Sequence, residues 1–107
     1  MAIKHIDAST LKDWLDNRKA VLIDVREPHE HASENIPGAI SLPLNSISAK
    51  DLPATGDKKI VLQCRAGKRS LSACEKLSAE DNALELYSLD GGIEAWEKAG
   101  YPVNKAG

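Results

Sequence analysis

The stretch KIVLQCRAGKRSLSACEKLSAED (59–81) decides the fold. KIVLQC (59–64) is a short continuous apolar run, the pattern of a strand buried on both faces of a parallel sheet. SLSACEKLSAED (70–81) opens on a serine and spaces Leu71, Cys74 and Leu77 along one face of a helix. Between them lies a tight loop, CRAGKR (64–69), in which Gly67 permits backbone conformations that other residues resist. Strand, loop and helix in that order make one unit of an α/β fold, and ligand sites in such folds lie beyond the carboxyl ends of the strands. Cys64 falls at that end.

The rest of the chain repeats the alternation. AVLIDV (20–25) is a second buried strand, ALELYSL (83–89) and AISLPL (39–44) are weaker ones, and AIKHI (2–6) suits a sheet edge. STLKDWLDN (9–17) reads as a helix capped by Ser9 that turns Leu11, Trp14 and Leu15 inward. REPHEHASEN (26–35) contains a helical turn from Pro28. GGIEAWEKAG (91–100) reads as a short helix burying Ile93 and Trp96, with Gly100 in the stop position. The expectation is a central parallel sheet of about five strands flanked by helices, reached by right-handed crossovers. With 107 residues and no repeat or low-complexity tract, a single domain over 1–107 is expected.

Composition narrows the function. A net charge of −2 argues against a general nucleic-acid binder. No apolar run approaches the ~20 residues of a membrane helix, and MAIKHIDAST lacks the basic and greasy segments of a secretory signal. A cytoplasmic protein without a membrane segment is therefore expected. Two cysteines, Cys64 and Cys74, are too few for a disulfide scaffold, so both are read as free thiols.

Positive charge gathers around one of them. From Lys58 to Cys74 there are five cations (Lys58, Lys59, Arg65, Lys68 and Arg69) and no acid. The curled loop can point successive N–H groups inward as an anion-binding nest, and the following helix aims its positive end at the same point. A sulfur held there is favoured as thiolate, the nucleophilic form. Cys74, on the apolar face with Leu71 and Leu77, reads as core. AGKRS (66–70) fails as a phosphate-binding P-loop because Leu62 and Arg69 stand where glycine and a hydroxyl residue are needed. HEH (29–31) reads as a solvated turn, and without a CxxC pair the sequence gives little sign of a metal site.

Three stretches together resemble the rhodanese family of sulfurtransferases: LIDVREPHEHASENIPGAISLPL (22–44), CRAGKRS (64–70) and LDGGIEAWEKAGYPV (89–103). Their order and intervals match over nearly the whole chain. The resemblance implies a single-domain enzyme in which Cys64 takes a sulfane sulfur from thiosulfate or a similar donor. It then passes that sulfur from a persulfide to cyanide, a cellular thiol or a protein acceptor. Arg65, Ala66, Gly67, Lys68, Arg69 and Ser70 would form the anion cradle by their amides and charges. Asp24 and Arg26 match the family's D-V-R element, and Arg26 is expected to pair with Glu30 and hold that loop. His31 and Glu34–Asn35 depart from the family's usual aromatic and Gly-His.

Other functions remain open at this point. A phosphatase or arsenate reductase of the same fold has five residues between cysteine and arginine, whereas Arg69 comes one place early here. A non-catalytic binding module of this fold often lacks the cysteine. A redox pair of Cys64 with Cys74 would require a helix-face thiol to leave the core.

Overall fold

A computed structural model describes residues 2–106; Met1 and Gly107, the ends of the expected 1–107 domain, lie outside the described residues. Five parallel strands form the central sheet: β1 (Ala2–Ile6), β2 (Ala20–Asp24), β4 (Ile40–Ser41), β5 (Lys59–Gln63) and β6 (Glu85–Leu89). Their spatial order is β1-β6-β5-β2-β4, which puts β1 at an edge as expected and β5 at the centre. The β2–β5 register runs from Ala20↔Lys59 to Asp24↔Gln63, so Asp24 and the residue before Cys64 finish side by side. A small antiparallel pair, β3 (Glu34–Asn35) with β7 (Asn104–Lys105), joins the segment after Pro28 to the polar ending of the chain. Two-residue strands carry almost no apolar pattern, so nothing in the sequence announces this pairing.

Among the described residues there are four α-helices, α1 (Ala8–Asp16), α2 (Pro28–Ser33), α3 (Lys68–Glu80) and α4 (Gly92–Lys98); α1, α3 and α4 pack on the sheet, whereas α2 buries none of its residues. Alternation along the strands splits the core into two layers. One packs Leu22, Val61, Tyr87 and Leu89 with Leu11 of α1 and Ile93 and Trp96 of α4. The other packs Ile23, Ile60, Leu62 and Leu86 with Ala73, Cys74 and Leu77 of α3. Burial of each large aliphatic side chain contributes roughly 1.5–3 kcal/mol, so the two layers hold the central strands rigidly beneath the loops at their carboxyl ends.

Several element ends differ from expectation, each for a local reason. Asp7, not Ser9, caps α1: its carboxylate accepts from the Thr10 amide at 2.8 Å, which places Ser9 inside the helix. The fourth candidate strand shrinks to Ile40–Ser41 because Pro43 has no N–H; pairing survives as single bonds from Leu42 to Asp24 O and from Leu44 to Val25 O. Ala83 belongs to a turn, since its amide donates to the Asp81 side chain at 3.0 Å, and β6 begins only at Glu85. The helix expected from Ser70 starts at Lys68, directly after Gly67, whose φ of 109° ends the loop. Gly100 stops α4 at φ 85°, as expected.

Cys74 lies fully buried between α3 and the sheet, and burial, reinforced by Glu75, pushes its thiol up to about 12. The neutral thiol is a small apolar filler there. Cys74→Ser should lower unfolding stability by roughly 1–3 kcal/mol in denaturant titrations, because a hydroxyl takes an apolar seat. Cys64 should be alkylated as in wild type.

Candidate active site

Cys64 follows β5 and is 1% exposed. The loop behind it is shaped from the opposite side by α4. The amide of Ile93 donates to Cys64 O at 2.9 Å, and that of Glu94 to Arg65 O at 3.1 Å. With those carbonyls turned toward α4, the chain curls around the sulfur, and the Gly67 amide donates to Cys64 Sγ at 3.0 Å. Among the described residues, the amides of Arg65, Ala66, Lys68, Arg69 and Ser70 donate to no acceptor of the loop or cap. They remain available to an anion.

Gly92 makes this close approach possible. It sits at φ 57°, and a Cβ there would press on Cys64 O and come within 2.5 Å of the Arg65 carbonyl. Gly67 lies against Gly91 N, 3.4 Å from where its own Cβ would stand. The GG pair that opens α4 is therefore part of the cysteine loop's architecture, a role its spacing in the sequence did not reveal.

Behind the sulfur runs a short series of buried hydroxyls. Cys64 Sγ lies 3.7 Å from Ser70 Oγ, which donates to Gly67 O at 3.1 Å and lies 2.7 Å from Ser88 Oγ. Ser70 and Ser88 are both buried. Ser88 was missed by the sequence reading; its one signal is a small polar residue within the strand end LYSL (86–89).

The loop's cations are unequal. Arg69 is gripped by both carboxylate oxygens of Glu30, at 2.6 and 3.0 Å. That hydrogen bond holds the Glu30 carboxyl down at about 2 and raises Arg69. Arg65 makes an exposed pair with Glu94 at 3.1 Å, a contact worth little in water. Lys68 is exposed and has no carboxylate partner among the described residues.

The Arg26–Glu30 pairing expected from the sequence is not what forms. Arg26 instead turns back on Asp24, with Nε to Oδ1 at 3.0 Å and Nη2 to Oδ2 at 2.8 Å, and also donates from Nη2 to Glu34 O at 2.6 Å. The reason is register: Asp24 ends β2 fully buried, and a buried carboxylate needs a partner at hand. Glu30, projecting from the first turn of α2, reaches across to Arg69. His31 is no solvated turn residue either: its Nδ1 donates to Asp24 Oδ2 at 2.8 Å. Asp24, Arg26 and His31 thus anchor α2 and β3, while Glu30 links α2 to the cysteine loop. Beside the loop, Arg26, Glu30, Arg65 and Glu94 help line a cavity of about 400 Å³; Cys64 lies outside its wall.

Comparison with known proteins places the whole chain beside these local features. A family model described as a rhodanese-like domain covers residues 7–99. The chain belongs to the rhodanese-like family. It is 35% identical over 102 residues to a sulfurtransferase of Allochromatium vinosum, covering 94% of each chain. It is 33% identical over 99 residues to the thiosulfate sulfurtransferase GlpE of Pseudoalteromonas translucida, covering 92% of this chain and 93% of that one. An uncharacterized protein of Synechocystis, 36% identical over 100 residues, is longer, and the chain spans 55% of it. The crystal structure of a rhodanese-related protein from Thermoplasma volcanium superposes with a TM-score of 0.78 at 31% identity, covering 94% of this chain and 97% of that one. These likenesses support a general sulfurtransferase role, and the rhodanese fold is the one expected from the sequence.

Two outcomes test the site's construction. Gly92→Ala combines a strained φ with a clash against the loop, and should cost at least about 1–3 kcal/mol in denaturant unfolding while slowing alkylation of Cys64. Gly38→Ala, with φ 85° but nothing within 4 Å of the added methyl, should cost strain alone and leave Cys64 reactivity unchanged. The Glu30–Arg69 pair predicts a pH dependence. The folded-state carboxyl, at about 2, lies below its ordinary 4.5, so its contribution to stability is present above 4.5 and lost as pH falls through about 2. The Tm gap between wild type and Glu30→Gln should be full at neutral pH and close across that acid window.

Proposed function

We propose that the protein is a cytoplasmic thiosulfate sulfurtransferase of a single rhodanese domain, with Cys64 as the carrier. The observation that carries this reading is the Gly67 amide on Cys64 Sγ at 3.0 Å within a loop whose neighbouring amides are uncommitted. In the first step the Cys64 thiolate attacks the outer sulfur of thiosulfate. A sulfur–sulfur bond forms to Cys64, the sulfur–sulfur bond of the donor breaks, and sulfite leaves with its electron pair. Cys64 becomes a persulfide anion. In the second step cyanide, or the thiolate of a small molecule or protein, attacks the outer sulfur and restores the Cys64 thiolate. Charge balances in both steps without a metal or organic cofactor.

The amides of Arg65 through Ser70 suit the charge that lies on the outer sulfur of the persulfide, because fixed N–H dipoles need no reorganisation as the charge arrives. Because Cys64 is 1% exposed, the donor's outer sulfur must enter this ring of amides to reach Sγ. Lys68 and Arg65 draw the anion to the mouth. Arg69 adds charge, though both terminal nitrogens are engaged by Glu30, so Glu30 sets how much of that charge the donor feels. Asp24 and Arg26 serve by holding α2, and through it Glu30, in place. A phosphatase reading is less well served, since a tetrahedral phosphate wants an arginine free to grip it from the loop's end and Arg69 is already bound.

Thiocyanate formation from thiosulfate and cyanide should be robust in wild type and abolished in Cys64→Ser, with the mutant folded by circular dichroism. A folded wild type without turnover would point to another donor or a binding role. Glu30→Gln should release Arg69 and lower KM for thiosulfate several-fold. An unchanged KM would remove Arg69 from donor recognition.

A further inference from the structure

The two buried serines behind Cys64 constrain where their protons lie. Ser88 Oγ has Ser70 Oγ, at 2.7 Å, as its one hydrogen-bond partner among the described residues. Were Ser70 to donate to Ser88, the Ser88 proton would be buried without an acceptor. With Ser88 donating to Ser70, every proton is placed, because the Ser70 hydroxyl has two acceptors within reach: Gly67 O at 3.1 Å and Cys64 Sγ at 3.7 Å. Ser88 stands at the carboxyl end of β6, beside Leu62 of β5 and His5 of β1 in register, so the sheet fixes its position.

We infer that Ser88 is a positioning residue that acts through Ser70 to favour the ionised sulfur of Cys64. While Cys64 is a thiol, its S–H donates to Ser70 Oγ and Ser70 donates to Gly67 O. When the sulfur loses its proton to solvent, the Ser70 O–H swings from Gly67 O to Sγ, joining the Gly67 amide as a second donor to the charge. Ser88 donates to Ser70 throughout. That donation polarises the Ser70 hydroxyl and makes it a stronger donor, an effect that chains of hydrogen bonds produce in low-dielectric surroundings. It also leaves the Ser70 oxygen a poorer acceptor for the S–H, because one of its two lone pairs is already engaged. Both effects shift the balance from thiol toward thiolate. The inference rests on reading Cys64 as the nucleophile, but not on which donor or acceptor it serves.

The experiment is alkylation of Cys64 by iodoacetamide across pH, followed on the Cys64 peptide by mass spectrometry, which needs no sulfur transfer. Charged groups around the sulfur (Arg65, Lys68 and Arg69 from the loop and α3, Glu30 from α2, Glu94 from α4) are the same in every variant. Ser88→Ala should slow alkylation at neutral pH by roughly 3- to 10-fold, the range of one net hydrogen bond, displace the profile to higher pH and leave the alkaline plateau at or above wild type. In a Ser70→Ala background the Ser88→Ala change should add nothing. Ser88→Thr should restore the wild-type profile and Ser88→Val, its near-isostere without the hydroxyl, should not; this pair decides the matter if Ser88→Ala folds poorly. An unmoved profile, a lowered plateau with no displacement, or effects of Ser70→Ala and Ser88→Ala that simply multiply would each overturn the inference. If the profile moves as described but wild type forms no thiocyanate, the hydroxyl relay stands and the thiosulfate reading falls.

Discussion

The site depends on two hydrogen bonds made by α4, from the amides of Ile93 and Glu94 to the carbonyls of Cys64 and Arg65. A peptide's N–H and C=O point in opposite directions, so gathering carbonyls on one side of a tight loop frees amides on the other. The cradle around Cys64 is the complement of that grip. It also explains why a glycine must stand at 92, since any side chain would hold the helix away from the loop. The chemistry of residues 64–70 is therefore set in part by residues nearly thirty positions later.

Burial and charge then divide the work. The central strand β5 brings Cys64 to the carboxyl end of the sheet inside a packed layer, where an uncompensated charge would be costly. The groups placed to offset such a charge are fixed dipoles at the sulfur itself, with cations farther out. Of those cations, one is exposed and unpaired among the described residues, one is in a solvent-screened pair, and one is bound to Glu30. The structure thus spends little of its formal positive charge on the sulfur, and the amides and hydroxyls matter more than the count of lysines and arginines suggests.

Much of this was legible in the sequence. Apolar runs at 20–25 and 59–64, helices between them and a glycine in the loop gave the parallel sheet, the place of Cys64 and the buried role of Cys74. Boundaries slipped where a local hydrogen bond outweighed the pattern: Asp7 capping α1, Asp81 drawing Ala83 into a turn, Pro43 cutting β4 short. Those are side-chain and backbone choices between neighbours of similar propensity, and periodicity does not rank them.

Partnerships across the chain were beyond the sequence. Arg26 and Glu30 carry opposite charges four residues apart, the spacing of a local pair, yet Arg26 serves the buried Asp24 and Glu30 crosses to Arg69. Ser88 looks like an incidental hydroxyl until β6 is laid beside β5 and set against α3. By itself the sequence determined which residues are apolar, which loop is cationic and which cysteine stands in that loop, because those properties belong to residue types and their local spacing. Only the tertiary structure decided which groups meet that cysteine, because distances between segments follow from packing the two faces of the sheet.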